Sequence, residues 1–309
     1  MDADLRTRVG ALVSRVDALC GAAHVNEVVG GAEDRQAMGA ALALGVLHEP
    51  CPRLLVIPGT DHRIVRARHF RGRLTCASAA EVLGLPLWSA PRLVHVGVPL
   101  NHSVRPSHDR PTTGIRLHRT RHLTALSVDG FPLVAPAEVV ACCLTCLDEL
   151  DALCVADGAL HRGLVTKEDV EELLTGRRAA LARKRLAKAE AASRSPLETR
   201  TRLCLRDAGL EVEPGATLEG IGEVDMLVEG WLIVETDGYE FHSSREQIRT
   251  DRRREHRALA DGYVTVRLTG KDVADGEATI LRIVGSALRG VAHSSRIALP
   301  DNRTILRML

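Results

Sequence analysis

The first 75 residues change from helical spacing of apolar side chains to short strand-like runs. Three helices are predicted first, and Asp34 is suited to cap the third of them. Two strands then follow on either side of the Pro58-Gly59 turn. The predicted helices cover residues 5–19, 23–29 and 34–47, and the predicted strands cover residues 53–57 and 64–70. Three helices followed by a hairpin is the outline of a winged helix, so we expect residues 1–75 to form a DNA-binding module of that kind.

The charges of this module leave two interpretations open. Residues 53–73 carry six arginines against one acidic residue, Asp61, which fits a positively charged wing. The third helix offers only Arg35 and Gln36 near its start, whereas a helix that reads the major groove normally presents several polar side chains. The alternative is a helical module with a solvated basic hairpin.

Residues 76–176 show a mixed pattern that predicts an α+β region. The predicted elements are a helix at 76–83, strands at 93–98, 115–121 and 128–134, and helices at 136–147, 149–162 and 167–174. The charge then changes sign abruptly, from a net −6 over residues 148–174 to a net +8 over residues 177–206. We therefore place the main domain boundary near Gly176.

The last third of the chain has the pattern of an α/β sheet domain. Ser195 is suited to cap a helix, Pro196 to its first position and Glu198 to its first turn. Three strands, a helix, a strand and a final helix follow, so the predicted order is αβββαβα. We assign this domain to residues 177–292 and a C-terminal tail to residues 293–309.

The segment that carries candidate chemistry reads GEVDMLVEGWLIVETDGYEFH. Because side chains alternate between the two faces of a strand, Glu235 and Asp237 are predicted on the same face. A three-residue loop at Glu229–Trp231 would place Asp225 opposite Glu235. A two-residue turn would place Asp225 opposite Val234, with Glu235 on the other face. A site that contains both carboxylates therefore requires the longer loop or a bulge.

Carboxylates that converge at the end of a sheet repel one another unless a cation lies among them. Mg²⁺ and Mn²⁺ prefer oxygen ligands, and a bound Mg²⁺ can polarise a phosphodiester, activate water and stabilise the leaving oxygen. Asp225, Glu235 and Asp237 are therefore candidate metal ligands. A solvated acidic hairpin is the alternative interpretation.

This stretch resembles the PD-(D/E)XK nuclease superfamily, and more closely its branch related to very-short-patch-repair endonucleases. Five elements of that branch recur in order between about residues 195 and 275: an SPLE-type helix, a VD strand, an E-x-DG strand, a nearby histidine and a D-R-x-R helix before the last strand. The resemblance implies an α/β restriction-endonuclease-like domain with a mixed central sheet.

The same resemblance implies roles for individual residues. Asp225 and Glu235 would be metal ligands, and Glu198 would be oriented toward the same site. Asp237 stands where the wider superfamily has lysine. His242 matches a recurring polar position of this branch and is a candidate general acid or base.

Residues 50–174, and more loosely residues 1–50, resemble an arrangement in which an AbiEi-type antitoxin or winged-helix module precedes such a nuclease-like domain. The matching segments include LTCASAAEVLGLPLW, RLVHVGVP and VDGFPLVAPAEVV. This resemblance implies a DNA-binding region of regulator type, with a cognate toxin or a repair protein as partner, and it carries no catalytic motif.

Basic residues near the acidic segment favour a polyanionic partner. Residues 245–257 hold six arginines against three acidic residues, and together with residues 177–206 they are placed to flank the carboxylates. Contacts of this kind neutralise phosphates and give affinity without sequence readout. The candidate DNA-binding residues are Arg245, Arg249, Arg252, Arg253 and Arg254. A solvated helix face is the alternative interpretation.

Cysteine and histidine positions do not predict a further metal site. The four cysteines that cluster on predicted helices have apolar neighbours and lack the spacing of a zinc knuckle, so we expect buried thiols. These cysteines are Cys142, Cys143, Cys146 and Cys154. Three histidines near polar loops or strands are likewise not assigned to a metal: His102, His118 and His122.

The overall composition narrows the class of protein. The 309 residues carry 41 Lys and Arg against 40 Asp and Glu, which excludes a uniformly cationic polymer binder. No segment has the pattern of an export signal or a membrane span, so we expect a cytoplasmic protein without a membrane partner. The favoured function is a Mg²⁺- or Mn²⁺-dependent DNA endonuclease in defence or repair. The alternative is a DNA-binding regulator of antitoxin type whose nuclease-like domain does not cleave.

Overall fold

The structure is a computed structural model that describes residues 2–102, 112–237 and 245–292, with side chains from 252 to 290 in the last range. It is a mixed α/β fold whose two larger sheets contain both parallel and antiparallel strands. The chain divides into two compact units. Unit 1 comprises Met1–Val155 and Leu164–Ala187, and unit 2 comprises Ala156–Gly163 and Lys188–Leu309. Within the described ranges, no helix is both long enough and apolar enough to cross a membrane.

Unit 1 begins with three helices and a small antiparallel sheet. Its first elements are α1 (Ala3–Asp17), β1 (Ala22–His24), α2 (Val25–Val28), α3 (Ala32–Ala43), β2 (His48–Cys51) and β3 (Leu54–Val56). The strand order is β1-β3-β2. Helices α1 and α3 pack together through Leu12, Val16, Ala37 and Ala41, which are all buried. The predicted helices are therefore present, and the hairpin that follows them is formed by β2 and β3.

The predicted strand at residues 64–70 is wrong, because this segment forms helix α4 (His62–His69). The Asp61 side chain caps the helix by accepting a hydrogen bond from the Arg63 backbone N–H at 2.7 Å. The buried side chains Ile64, Ala67 and Phe70 recur every three residues, which is helical spacing. Their contacts with the core outweigh the strand-like composition of the segment, so the arginines between them lie on a helix and not on a wing.

A five-stranded mixed sheet forms the rest of the unit 1 core. Its elements are β4 (Arg73–Leu74), α5 (Cys76–Val82), β5 (Val94–Pro99), β6 (Ile115–Thr120), β7 (Ala125–Val128), β8 (Phe131–Val134), α6 (Pro136–Cys146), α8 (Lys167–Leu173) and α9 (Ala179–Lys188). The strand order is β6-β5-β4-β8-β7, with β5 parallel to β6 and β4 parallel to β8. Helix α5 packs against α6 and β5, which brings the ends of both helices close to the sheet.

The change of charge near Gly176 lies inside unit 1, whereas unit 2 resumes at Lys188. Two arginines that follow Gly176 belong to unit 1, where they bind carbonyl groups at the end of helix α6. Arg178 donates to the Thr145 carbonyl at 2.8 Å, and Arg185 donates to the Leu144 carbonyl at 2.7 Å. Cations near a helix C-terminus satisfy its last carbonyls and favour its dipole. Arg178 and Arg185, which lie just after the charge switch, therefore stabilise the end of helix α6 within unit 1.

Unit 2 follows the predicted order of a helix, three strands, a helix, a strand and a helix, with some strands interrupted. Its elements are α10 (Pro196–Asp207), β9 (Val212–Pro214), β10 (Thr217–Leu218), β11 (Gly222–Glu223), β12 (Met226–Val228), β13 (Leu232–Asp237), α11 (Arg245–Ala260), β14 (Val264–Thr269), α12 (Gly270–Ala274) and α13 (Glu277–Ala292). The main sheet has the order β14-β13-β12-β9. Strands β13 and β14 are parallel, and the other two pairs are antiparallel.

A buried ion pair anchors helix α10 to the end of helix α7 (Glu149–His161) within unit 2. The Arg202 Nη2 atom lies 2.7 Å from Asp157 Oδ2, and the two side chains are 0% and 1% exposed. Arg202 also donates to Ser193 Oγ and to the Lys188 carbonyl, and Thr199 Oγ1 donates to Asp157. These hydrogen bonds replace the contacts with water that the two charged groups lose on folding.

Candidate functional site

The loop between β12 and β13 has the length that places Asp225 beside Glu235. Met226 pairs with Val234 and Val228 with Leu232, so three residues connect the strands and Asp225 comes next in register with Glu235. The Asp225 backbone N–H donates to Glu235 Oε2 at 3.4 Å. Of the two alternatives that the sequence left open, the structure has the three-residue loop, which makes the two carboxylates neighbours.

Strand β13 also fixes the Asp225 side chain. Its Oδ2 atom accepts hydrogen bonds from the Thr236 backbone N–H at 2.7 Å and from Thr236 Oγ1 at 3.1 Å. In both bonds the Asp225 oxygen is the acceptor, so the orientation of its carboxyl group is fixed at the end of the sheet.

The environment of Glu235 disfavours the ionised form of its side chain. Burial, together with the negative charge of Asp225, raises the pKa of Glu235 from 4.5 to about 7, and the nearby Arg254 only partly opposes the rise. A group of this kind ionises more readily when a cation is added beside it. The pair therefore has the electrostatic character of a cation site.

Glu198 approaches the pair from the first turn of α10. It is 8% exposed, and its Oε2 atom accepts a hydrogen bond from the Arg194 backbone N–H at 2.8 Å. Burial raises the pKa of Glu198, and the charge of Asp225 contributes to the rise. The same hydrogen bond helps to close the start of helix α10. The orientation of Glu198 toward the site stays a prediction.

The other predicted site residues lie farther out or outside the described residues. Asp237 ends β13 as a half-buried residue paired with Thr269 of β14. It does not join Asp225 and Glu235 in a group of three ligand atoms within 4.8 Å in the described part of the chain. His242 lies outside the described residues. Its role, like that of Asp237 as a ligand, stays a prediction.

The candidate DNA-binding arginines of α11 differ in what they contact. Arg252 and Arg253 are exposed. Arg254 is half-buried, and it donates to the Ile221 carbonyl at 2.9 Å and to the Glu223 carbonyl. Arg254 therefore ties α11 to the loop before β12. The side chains of the two remaining candidates, Arg245 and Arg249, lie outside the described residues.

Unit 1 contains a second cluster that the sequence analysis missed. Cys76, His95, His118 and Cys146 each offer a ligand atom, and all four atoms lie within 4.8 Å of one another. No other such group of three or more His, Cys, Asp or Glu residues occurs in residues 2–102, 112–237 and 252–290. His118 and Cys146, which the sequence analysis did not assign to a metal, thus belong to a group that could hold one, and Cys146 is half-buried and not fully buried.

The four residues of this cluster lie far apart in the sequence, so the cluster has no local sequence motif. Its members come from the start of α5, from β5, from β6 and from the last residue of α6. The parallel register of β5 and β6 pairs Gly97 with His118, so His95, two residues before Gly97, shares the His118 face. The i, i+4 spacing of Cys142 and Cys146 was a visible signal, but the sequence offers no means of recognising the other partners.

Hydrogen bonding in this cluster raises the pKa of one imidazole and lowers the pKa of two thiols. The His118 Nδ1 atom lies 3.3 Å from Cys142 Sγ. Burial opposes protonation of His118, but its contacts with the Cys142 and Cys146 sulfurs outweigh this and raise the pKa of His118 to about 9. Hydrogen bonds with Cys76 lower the pKa of Cys142 and of Cys146, and His118 adds to both shifts.

Comparisons with known proteins leave the family of this chain open. No family model matches it, and no curated protein matches it. Among solved structures, the crystal structure of the RV2827C protein from Mycobacterium tuberculosis is similar, with 16% sequence identity and a TM-score of 0.37. That alignment covers 62% of this chain and 80% of the other chain.

Proposed function

We propose that unit 2 is a metal-dependent nuclease of restriction-endonuclease type that hydrolyses phosphodiester bonds in DNA. The observation that carries this proposal is the register of β12 and β13, which sets Asp225 beside Glu235. The order of elements around this pair and the Glu198 approach from α10 support it. The resemblance to the very-short-patch-repair branch adds the expectation of nuclease activity.

The donor set fits a hard divalent cation. Asp225 and Glu235 supply carboxylate oxygens, which Mg²⁺ and Mn²⁺ prefer over nitrogen or sulfur. Burial and the charge of Asp225 raise the pKa of Glu235, and among the described residues Arg254 only partly offsets this rise. Asp225 and Glu235 would hold the ion, which supplies water activation and charge stabilisation when bound.

The chain's own residues would prepare this site in three ways. Thr236 holds the Asp225 carboxylate in place through two hydrogen bonds. Glu198, in the first turn of α10, would orient a water near Asp225. Arg252 and Arg253 are exposed on α11, where they would neutralise phosphates of a bound strand.

The test is a cleavage assay with the full chain and a panel of single-stranded, duplex and mismatched DNA. We expect products with Mn²⁺ or Mg²⁺, none with a chelator, and none with Asp225→Asn. Thermal melting would show that Asp225→Asn is folded. Absence of cleavage across the panel, or equal cleavage by the variant, would contradict the proposal.

A second prediction concerns affinity for DNA. Replacing both Arg252 and Arg253 by alanine should weaken binding of all sequences alike, because phosphate contacts carry no base readout. Each lost contact should reduce the slope of log K against log salt by about 0.9. Fluorescence anisotropy over a salt series measures this. Arg267→Ala serves as the control, because Arg267 pairs with Glu255 within the unit.

A DNA-binding regulator of antitoxin type remains the second candidate. The observation in its favour is the order α1-β1-α2-α3-β2-β3 with a three-stranded sheet, which is the order of a winged helix. Its hairpin carries only Arg53 as a basic residue other than histidine, and the Arg53 backbone N–H is bound by Glu49. Binding of DNA without cleavage in the assay above would favour this candidate.

A further inference from the structure

The Cys/His cluster of unit 1, formed by Cys76, His95, His118 and Cys146, has the dimensions of a metal site. A tetrahedral zinc ion lies about 2.3 Å from sulfur and about 2.0 Å from nitrogen, so its ligand atoms are a little under 4 Å apart. All four ligand atoms of the cluster lie within 4.8 Å of one another. Small side-chain movements would therefore suffice to close the four groups around one ion.

The two histidines of the cluster approach each other through one ring nitrogen each. His95 Nδ1 lies 3.0 Å from His118 Nε2. The other nitrogen of His118, Nδ1, lies 3.3 Å from Cys142 Sγ. When His118 Nδ1–H donates to that sulfur, Nε2 presents a lone pair toward His95. Two ring nitrogens at this distance must share either a proton or a cation.

The backbone holds the ligands on connected elements. The Thr75 N–H, just before Cys76, donates to the His95 carbonyl at 3.1 Å, and the His95 N–H donates to Ser78 Oγ at 2.9 Å. These bonds join the start of α5 to β5 directly. Cys76 itself has a φ of +50°, a strained conformation for a residue with a side chain. The strain places the thiol against the sheet.

The donor set identifies the class of metal. Two cysteines and two histidines are the ligands of closed, four-coordinate zinc sites, and soft thiolates disfavour Mg²⁺ and Ca²⁺. Two thiolates also balance the charge of a divalent ion in a largely buried position. Cys142 would then bind the outer nitrogen of His118, which is the usual second contact of a ligating histidine.

An entry path is present in the same unit. A cavity of about 640 Å³ is lined by Thr75, His118, Cys142 and Thr145, among others. His118 and Cys142 therefore reach the wall of an open space, although Cys76 and His95 are buried. An ion could reach the cluster from this side without unfolding of the sheet.

We propose that Cys76, His95, His118 and Cys146 bind one zinc ion, which links the start of α5, strands β5 and β6 and the end of α6. The site is structural, because four protein ligands leave no open coordination position. It is independent of the nuclease proposal, since it uses none of the carboxylates of unit 2.

The experiment is metal analysis of the full chain purified without chelators, followed by exchange with Co²⁺. We expect one zinc per chain and, with Co²⁺, the thiolate charge-transfer and ligand-field bands of a tetrahedral site. Cys146→Ser and His118→Ala should each lose zinc and melt at lower temperature. Cys142→Ser should keep the metal with about 10- to 100-fold weaker affinity.

Cys20→Ser is the matched control, because Cys20 lies in unit 1 outside the cluster. It should retain full metal content. Zinc-free wild-type protein that also gives no tetrahedral Co²⁺ spectrum would overturn the proposal, whether or not the variants fold. Equal loss of metal in Cys20→Ser, or a disulfide between Cys76 and Cys146 in freshly purified protein, would also overturn it.

Discussion

Replacing Arg202 by alanine is expected to lower the free energy of unfolding by about 3–5 kcal/mol, because it leaves the buried carboxylate of Asp157 without its cation. Burial raises the pKa of Asp157, and the charge of Arg202 is the strongest effect opposing that rise. Without Arg202, the carboxyl would be driven further toward its neutral form. Chemical denaturation followed by circular dichroism measures the loss.

Two further variants separate the ion pair from simple loss of packing. Arg267→Ala removes a pair whose side chains are 40% and 47% exposed, so its cost should stay below about 1 kcal/mol. The double variant Arg202→Met with Asp157→Leu should recover much of the loss, because an apolar pair avoids the desolvation of both charges. An Arg202→Ala cost no larger than that of Arg267→Ala would show that the pair is not buried in solution.

Replacing Glu235 by glutamine is expected to have opposite effects on activity and on stability. In the proposed nuclease, loss of the Glu235 carboxylate as a metal ligand should remove several kcal/mol of transition-state stabilisation, which corresponds to a rate about 10³-fold lower. Metal-free stability at pH 8 should rise instead, because the amide carries no charge beside Asp225. Substitution of a carboxylate that has only a structural role would rarely lower the activity and raise the metal-free stability together.

The stability gain should depend on pH in a defined direction. Glu235 titrates at 4.5 in the unfolded chain and at about 7 in the folded one, so the folded state holds its proton more tightly. The contribution of Glu235 to stability is therefore fully present below pH 4.5 and is lost as the pH rises through 7. The shift corresponds to at most about 3.4 kcal/mol, and to about 1–2 kcal/mol after allowance for partial exposure.

Melting of wild type and Glu235→Gln between pH 4.5 and 8.5, without divalent ions, measures the difference. Glu213→Gln is the control, because Glu213 is exposed on β9. It should change neither the activity nor the pH profile. A constant difference across the whole pH range would contradict the raised pKa of Glu235, whereas full activity of Glu235→Gln would contradict its role in the site.

The acidic pair could be predicted because its partners are close in the sequence. Nine residues lie between Asp225 and Glu235, so strand alternation and the length of one loop are enough to set their register. The order of elements in unit 2 could be predicted for the same reason, since its apolar periods are short and clear.

The Cys/His cluster could not be predicted, because four elements from different parts of unit 1 have to meet. Nothing in the local pattern around His95 or His118 indicates that β5 and β6 are neighbouring parallel strands. The wrong prediction of a strand at residues 64–70 has a related cause. The β-branched and aromatic residues of this segment favour a strand, and only burial of one face every third residue makes it a helix.

The path of the chain also limits how this protein can be divided or recombined. Helix α7 changes from unit 1 to unit 2 after Val155, and the chain returns to unit 1 at Leu164. A gene fragment that begins near Gly176 would encode Arg202 without Asp157, and the fragment would have to fold around an unpaired guanidinium. Exchange of unit 2 between genes would therefore succeed only when the end of α7 is inherited with it.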